Sequence, residues 1–528
     1  MIFVMYADGA TEAGDLVYAA LCRSFSAGQV ARIKEEDLDY LLSRKEPLFV
    51  LFVDPPEEIF SFFQAARSHP ACAKIILLGK LPFSIAEQLS LHICDIAEDW
   101  NSEATAESAP VGSFRESRLR VSYRRPLGEL SSPILERAFL RYDFAQEWNH
   151  LGYGAIRLDG SPWALSQCAD APQEALLADV VCRNKVLSTY AANWDAKKSS
   201  VLWFNRSVGP IDSQEWRLVE HFFASYRHAE LLCLPVLSEI PYGWDAAVTM
   251  RLDCDEDIAS ARGLFEQYCA WNVPFSLAIH ASILKGSDHI QMVQDVIKNG
   301  GSILSHSHTH PAHWGGSYQR AFQQAHDSLV AINEMLGKGL SPLYAVSPFH
   351  QTPSYALRAL IDANYLGCIG GTISSDPEFF LARGGHIFAS PPGFIGHSQS
   401  CMLHGDCLLS EGDPLRIYKE AFLIALQGRG LFGFLDHPFS ERYSYGFRSE
   451  SERTEVHRQW IEFIRSQGRV LFLNEQDALD FIRYKSSINI SLNKDEKVIY
   501  HASFPRPGND LDVAVELAGR LVNLTGAR

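Results

Sequence analysis

No apolar run in the 528-residue chain approaches the ~18–20 residues that a membrane-spanning helix needs. Met1 to Tyr6 is apolar only briefly, without the basic flank, longer apolar stretch and small-residue cleavage site of a secretion signal. Positive charge is in deficit: 47 Lys and Arg face 63 Asp and Glu, a formal net charge of −16. Binding to a nucleic-acid backbone needs concentrated Lys and Arg, so no nucleic-acid partner is expected. No CxxC pair occurs, and the eleven cysteines are scattered and odd in number. They read as buried thiols rather than a disulfide framework, and a reducing, cytoplasmic setting is expected. Neither GxGxxG nor GxxxxGK[ST] follows an apolar strand, so the usual phosphate-cradling loops are missing.

What is present is the composition of a globular protein, 47% hydrophobic and 21% charged. At roughly 100–200 residues per domain, the length predicts about three domains. Ile2–Tyr6 reads as a strand, Thr11–Phe25 as a helix, and PLFVLFV at 47–53 as a strand buried on both faces. Pro55-Pro56 opens a helix through Ala66, and KIILL at 74–78 is a further strand ended by Gly79. These alternations predict a doubly wound, flavodoxin-like parallel sheet over 1–100. The stretch 101–113, small and polar with one proline, is the expected linker. An α/β middle domain is expected over 114–244, with a helix capped by Asp212 or Ser213. Its Arg141, Asp143, Glu147 and Trp148 are candidates for a sugar-binding surface or an interdomain contact.

From 245 to 484 strands of about six residues alternate with helices: AVTMRLD, PFSLAIH, GSILSH, GLFGFLDH and GRVLFL. The segment 318–336 carries Phe322, Ala325, Leu329, Ile332 and Leu336 on one stripe, the pattern of an outer helix. The predicted architecture here is (β/α) barrel-like, followed by a small β appendage over 485–528.

Three clusters fall at the carboxyl ends of these strands, where parallel α/β folds place their sites. Arg251, Asp253 and Asp255 share one strand face, because residues two apart point the same way. SHSHTHP at 305–311 holds His306 and His310 four residues apart, a spacing that brings two imidazoles to one ion. Two histidines and a carboxylate suit Zn²⁺, with Co²⁺, Ni²⁺, Mn²⁺ or Fe²⁺ as alternatives. His437 ends a buried strand and is a candidate proton donor.

On these motifs the 245–484 segment resembles the NodB-homology domain of polysaccharide deacetylases, carbohydrate esterase family 4. SHSHTHP matches that family's H-[ST]-x-x-H metal motif, and Asp253-Cys254-Asp255 resembles a DxD form of its TFDDG motif. The resemblance implies a distorted barrel of NodB type. It makes Asp253 the general base, Asp255, His306 and His310 the metal ligands, and His437 the general acid. Val346-Ser347-Pro348-Phe349-His350 falls where R-x-P-[YFW] is expected, with Val346 replacing the arginine that tunes the base. Arg251, on the face of Asp253, is the candidate substitute. The backbone N–H of Phe349 would serve the oxyanion, and Trp314, Tyr318, Tyr443 and Tyr445 are candidate sugar-facing rings. The aspartate that orients the late histidine in the family is left open among Asp376, Asp406 and Asp436.

The expected reaction is removal of an N-acetyl group from an amino-sugar saccharide, releasing acetate. Two alternatives remain: a NodB-like amidohydrolase acting on a non-sugar or cyclic amide, and a silent glycan-binding protein. The resemblance leaves residues 1–244 unassigned, with a homo-oligomer or protein partner through the N-terminal domain left open.

Overall fold

Strands that are apolar without alternation need cover on both faces, and LFVLFV and AKIILL are buried at every residue. In the computed structural model the described residues are 1–95, 119–128, 130, 136–138, 160–182, 185–210, 215–337, 342–370, 383–388, 390–398, 400–440, 442–493 and 497–524. The expected linker 101–113, the four candidates Arg141, Asp143, Glu147 and Trp148, the Asp212 or Ser213 cap and Asp376 lie outside them.

A first sheet of nine strands contains β1 (Ile2–Tyr6), β2 (Val30–Arg32), β3 (Leu48–Val53), β4 (Ala73–Leu78), β5 (Leu119–Tyr123), β6 (Glu136–Ala138), β7 (Leu176–Cys182), β8 (Lys185–Asp195) and β9 (Ser199–Phe204). Their order is β2-β1-β3-β4-β9-β8-β7-β5-β6. β1 to β4 are parallel, as the crossover pattern predicts. β9 continues them in parallel, pairing Ser199 with Ala73 through Phe204 with Leu78, before the order turns antiparallel. The expected division between 1–100 and 114–244 therefore runs through one shared sheet. Burial of β4 is written in its own residues. The strand that covers its free edge lies about 120 residues away, and no local pattern names it.

The second sheet contains β10 (Ala246–Cys254), β11 (Ser276–Ile279), β12 (Ser302–Ser305), β13 (Tyr344–Val346), β14 (Gly367–Gly370), β15 (Gly385–His386), β16 (Ile395–Ser398), β17 (Cys401–Met402), β18 (Phe432–Asp436) and β19 (Val470–Leu473). The order is β15-β16-β14-β13-β12-β11-β10-β18-β17, with β19 also on β10. All pairs are parallel except β15 with β16. β10 is long enough to serve three partners. β18 takes Val248–Leu252 on one edge, while β19 (Ala246–Thr249) and β11 (Arg251–Cys254) share the other. Among the described residues no pairing joins the two outer strands of this order. The outer helix spans Tyr318–Leu336 and buries Ala321, Ala325, Ser328, Ile332 and Leu336, with Phe322 and Leu329 half-buried.

The last residues are tied into the fold. Ala514–Leu517 pairs with Val236–Leu237, and Gly28 N–H donates to Asn489 Oδ1 at 3.1 Å. A buried ionic network joins the two halves. Arg383 donates to Glu220 through Nε (2.9 Å) and Nη2 (2.6 Å), and Ser24 Oγ donates to the same carboxylate at 2.7 Å. Burial pushes Glu220 up, yet the Arg383 and Arg217 charges outweigh it and hold the carboxyl below its ordinary range. Among the described residues no helix is long and apolar enough to cross a membrane. Among the described residues, which include all eleven cysteines, no disulfide is formed.

Candidate metal and acid–base centre

β10, β12 and β18 run in parallel within one sheet, so the residues following Asp253, Ser305 and Asp436 emerge at one edge. Asp255 Oδ1 lies 3.4 Å from His306 Nε2 and 3.5 Å from His310 Nε2. The two Nε2 atoms are 2.9 Å apart. His310 reaches back because the loop is tightly turned. Ser307 and His310 take left-handed φ of 67° and 53°, and Ser307 Oγ accepts from His310 N–H at 2.9 Å. His306 Nδ1 sits 3.1 Å from the Val346 carbonyl. A carbonyl only accepts, so Nδ1 carries the proton and Nε2 offers its lone pair toward Asp255.

These donors fit a divalent cation. Their three ligand atoms lie within 4.8 Å of one another, and Asp255 Oδ1 is buried without a hydrogen-bond partner. A buried carboxylate oxygen without a donor is costly unless a cation meets it. Burial raises Asp255, but hydrogen bonding from His437 and the surrounding imidazole charges lower it to about 2. Burial and the adjacent His306 bring His310 down to about 3, which keeps it in the neutral, ligating form.

Asp253 is almost wholly buried, and Arg251 grips it with Nε to Oδ1 at 2.7 Å and Nη2 to Oδ2 at 3.3 Å. Arg251 Nη1 also faces Glu475 Oε1 at 3.7 Å. Burial pushes the Asp253 carboxyl up, and the opposing charges of Arg251 and His306 bring it well below the ordinary carboxylate range. An arginine two residues back on the same strand thus contacts this carboxylate, while Val346 supplies only its backbone carbonyl to His306.

His437 Nε2 lies 3.5 Å from Asp255 Oδ2, and its Nδ1 lies 2.7 Å from His404 Nε2. Burial lowers His437, but Asp255, Asp253 and Asp436 together raise it above its ordinary value. Burial and the His437 charge depress His404 to about 3, and a protonated His437, a donor at both ring nitrogens, makes His404 Nε2 the acceptor from Nδ1–H. His404 is thus the residue against His437 Nδ1 among the described residues, while Asp376, one of the three aspartates left open, lies outside them. Asp436 Oδ1 accepts from the His437 backbone N–H at 2.7 Å and lies 3.8 Å from His404 Nε2, and the carboxylate is itself held by His457 Nε2 at 2.9 Å and Arg453 Nε at 3.3 Å. Asp406 packs instead against Gly446. His404 follows the two-residue strand β17, too short to show a period. Arg453 and His457, four apart on the helix Glu450–Ser466, were the visible sign of a buried polar face.

The expected ring residues divide. Tyr445 stacks on His437 with centroids 4.3 Å apart and planes at 15°. Tyr443 is 38% exposed beside it, and Phe349, also 38% exposed, lies with its ring 4.8 Å from His310. Phe349 stands at φ 54°, in the turn Pro348–His350. Trp314 does not face a ligand: it is fully buried in a cluster with Ala321, Ala325, Ala356 and Tyr365. A left-handed turn at His313 and Trp314 points the indole inward, where its large apolar area is better covered. Tyr318 donates to Asp362 at 2.8 Å, away from the centre.

No protein-family model matches the chain, and no curated protein matches it. Solved structures similar to it include one described as a polysaccharide deacetylase from Mycobacterium smegmatis, at 14% identity and TM-score 0.38, covering 51% of this chain and 96% of that one. Another is the chitin deacetylase of the fungal pathogen Colletotrichum lindemuthianum, at 13% identity and TM-score 0.29, covering 46% of this chain and 95% of that one. A third is Puue allantoinase, at 12% identity and TM-score 0.36, covering 46% of this chain and 91% of that one. Over about half its length, then, the chain is similar to solved polysaccharide deacetylases, carbohydrate esterase family 4 members among them.

Proposed function

We propose that this protein is a metal-dependent hydrolase that removes N-acetyl groups from an amino-sugar saccharide. The observation that carries the reading is one cleft edge where Asp255, His306 and His310 converge, with Asp253 and His437 close beside them. The motif resemblance supplies the substrate class, and the ten strands of the second sheet are read as a distorted, incompletely paired NodB barrel. Asp255, His306 and His310 hold one divalent ion, Zn²⁺ by its donor set. When bound, that ion supplies Lewis acidity to the amide carbonyl and to water.

The chain's own groups do the rest. Asp253, fixed by Arg251, accepts a proton from the attacking water as the new C–O bond forms. The Phe349 N–H donates to the oxygen on which negative charge develops. His437, anchored through Nδ1 on His404, delivers a proton from Nε2 to the amide nitrogen as the C–N bond breaks. Water and amide become acetic acid and amine, the proton gained by Asp253 matching the one lost by His437, and the acid then passes its proton on to leave acetate and an ammonium group. Tyr445 fixes the plane of the His437 ring, and Tyr443 and Phe349 offer faces to a sugar ring.

The test is acetate release from N-acetylglucosamine oligomers in the presence of Zn²⁺ or Co²⁺, with allantoin as the cyclic-amide control. Release from the oligomers alone is the expected result. Turnover of allantoin alone transfers the site to the amidohydrolase class, and no turnover of either by metal-loaded protein sinks the hydrolase reading.

His404 is a positioning residue in this scheme. His404→Ala is expected to lower kcat by about 10²-fold with KM little changed, because ring orientation and not substrate contact is lost. His404→Gln, which restores an acceptor for Nδ1–H, is expected to recover most of that loss. Equal kcat losses in both variants would remove the role.

A further inference from the structure

A second site lies in the other half of the molecule, in a cavity of about 420 Å³ at the carboxyl ends of β3, β4 and β9. These three strands are adjacent and parallel, ending together at Val53, Leu78 and Phe204. The edge outside the carboxyl ends of open parallel sheets is where such folds take up ligands. The volume is that of a small-molecule pocket.

Asp54 follows β3 directly and Lys80 follows β4 after Gly79, with Ser161, Ser166 and Ser207 also on the polar wall. Two strand ends depart from ordinary backbone to set the carboxylate there. Asp54 sits at φ 43° and Gly79 at φ 83°. A Cβ on Gly79 would overlap the Asp54 carboxylate, so glycine is required at that position. Asp54 Oδ1 accepts from the Lys80 backbone N–H at 2.9 Å. Among the described residues, no hydrogen bond or ion pair takes up the Lys80 ammonium, Ser166 Oγ or Ser207 Oγ. Left-handed backbone at a non-glycine residue is costly and collects at functional positions.

The wall chemistry selects the ligand. Among the described lining residues one ammonium is balanced by one carboxylate, which disfavours a polyphosphate. Among the described residues no aromatic ring lines the cavity, which leaves a nucleobase no stacking face there. The apolar part is supplied by Pro55, Leu81, Pro82, Ala164 and Leu165, beside the hydroxyl, carboxylate and ammonium groups. We propose that this cavity binds a neutral saccharide unit, with Asp54 accepting from sugar hydroxyls and Lys80 and the serines donating to them. The proposal stands on the first sheet alone and does not depend on the hydrolase reading.

Isothermal titration of the full chain with glucose, N-acetylglucosamine and glucose 6-phosphate tests it. A neutral sugar is expected to bind, and Lys80→Ala and Asp54→Asn are expected to weaken it by about tenfold or more. Asp54→Asn keeps both the acceptor for Lys80 N–H and a residue tolerant of the left-handed region, so a folded variant is expected. His306→Ala is expected to leave this affinity unchanged, which separates the cavity from the histidine centre. Absence of neutral-sugar binding at about 10 mM, binding of glucose 6-phosphate alone, or binding lost in His306→Ala but kept in Asp54→Asn would each overturn the proposal.

Discussion

Asp255→Asn and His306→Ala are each expected to abolish divalent-ion retention and to lower turnover by about 10³-fold or more. Each removes one of three donors whose ligand atoms lie within 4.8 Å of one another. The remaining pair is a weak chelate. Metal analysis after dialysis should give one ion per wild-type chain and none per variant chain. His313→Ala is the control, since His313 is outside that donor group and should leave the ion in place. Chelator treatment of the wild type should lower its thermal midpoint, because an ion that binds only the folded state stabilises it in proportion to RT ln(1 + [L]/Kd). The same treatment should leave the midpoint of His306→Ala unmoved. Retention of the ion by both ligand variants would place it elsewhere and end the metal-centre proposal.

The second large effect belongs to Arg251. Its guanidinium is fully buried, with Asp253 gripped at 2.7 Å and 3.3 Å and Glu475 at 3.7 Å. Arg251→Ala leaves two buried carboxylates without their cation, and loss of one partner of a buried ion pair costs about 3–5 kcal/mol. The unfolding midpoint in urea is expected to fall accordingly. Turnover is expected to fall by about 10²-fold or more, because Asp253 loses both its orientation and the charge that sets its basicity. Arg251→Lys keeps the charge but not the planar fork, so it should fold and still lose much of the turnover. Metal content should be unchanged in both, since Arg251 grips Asp253 and Glu475, which stand outside the proposed ligand set. Full turnover in a folded, metal-loaded Arg251→Lys would limit the arginine to a structural role.

The difference between these two sets of variants is diagnostic. Ligand variants lose ion and turnover together. Arg251 variants lose turnover with the ion retained. A single structural defect spread over the cleft would not separate the two readouts.

Much of this centre was legible in the residues. Strand periodicity and the i, i+4 histidines are local properties, and they marked Asp253, Asp255, His306, His310 and His437 before any distance was known. Arg251 was legible too, because alternation along one strand puts it on the face of Asp253. His404 was not legible. It stands 33 residues before His437, after a strand of two residues, and only the parallel pairing of β17 with β18 brings the rings to 2.7 Å. Glu475 was hidden for the same reason, since its place depends on β19 sharing an edge of β10 with β11. Trp314 is buried instead, because proximity in sequence to a metal motif does not fix which way a left-handed turn aims a side chain.

The chain's sequence by itself determined the local terms: which segments are strands or helices, which are buried on both faces, and which side chains carry ligand or acid–base chemistry. Tertiary structure alone decided who lies beside whom. It joined β4 to β9 across the expected linker, set His404 against His437, and opened a polar cavity at three strand ends. The physical reason is that hydrophobic periodicity reports how each residue meets solvent, whereas the partner across a sheet edge is chosen by contacts distant in sequence.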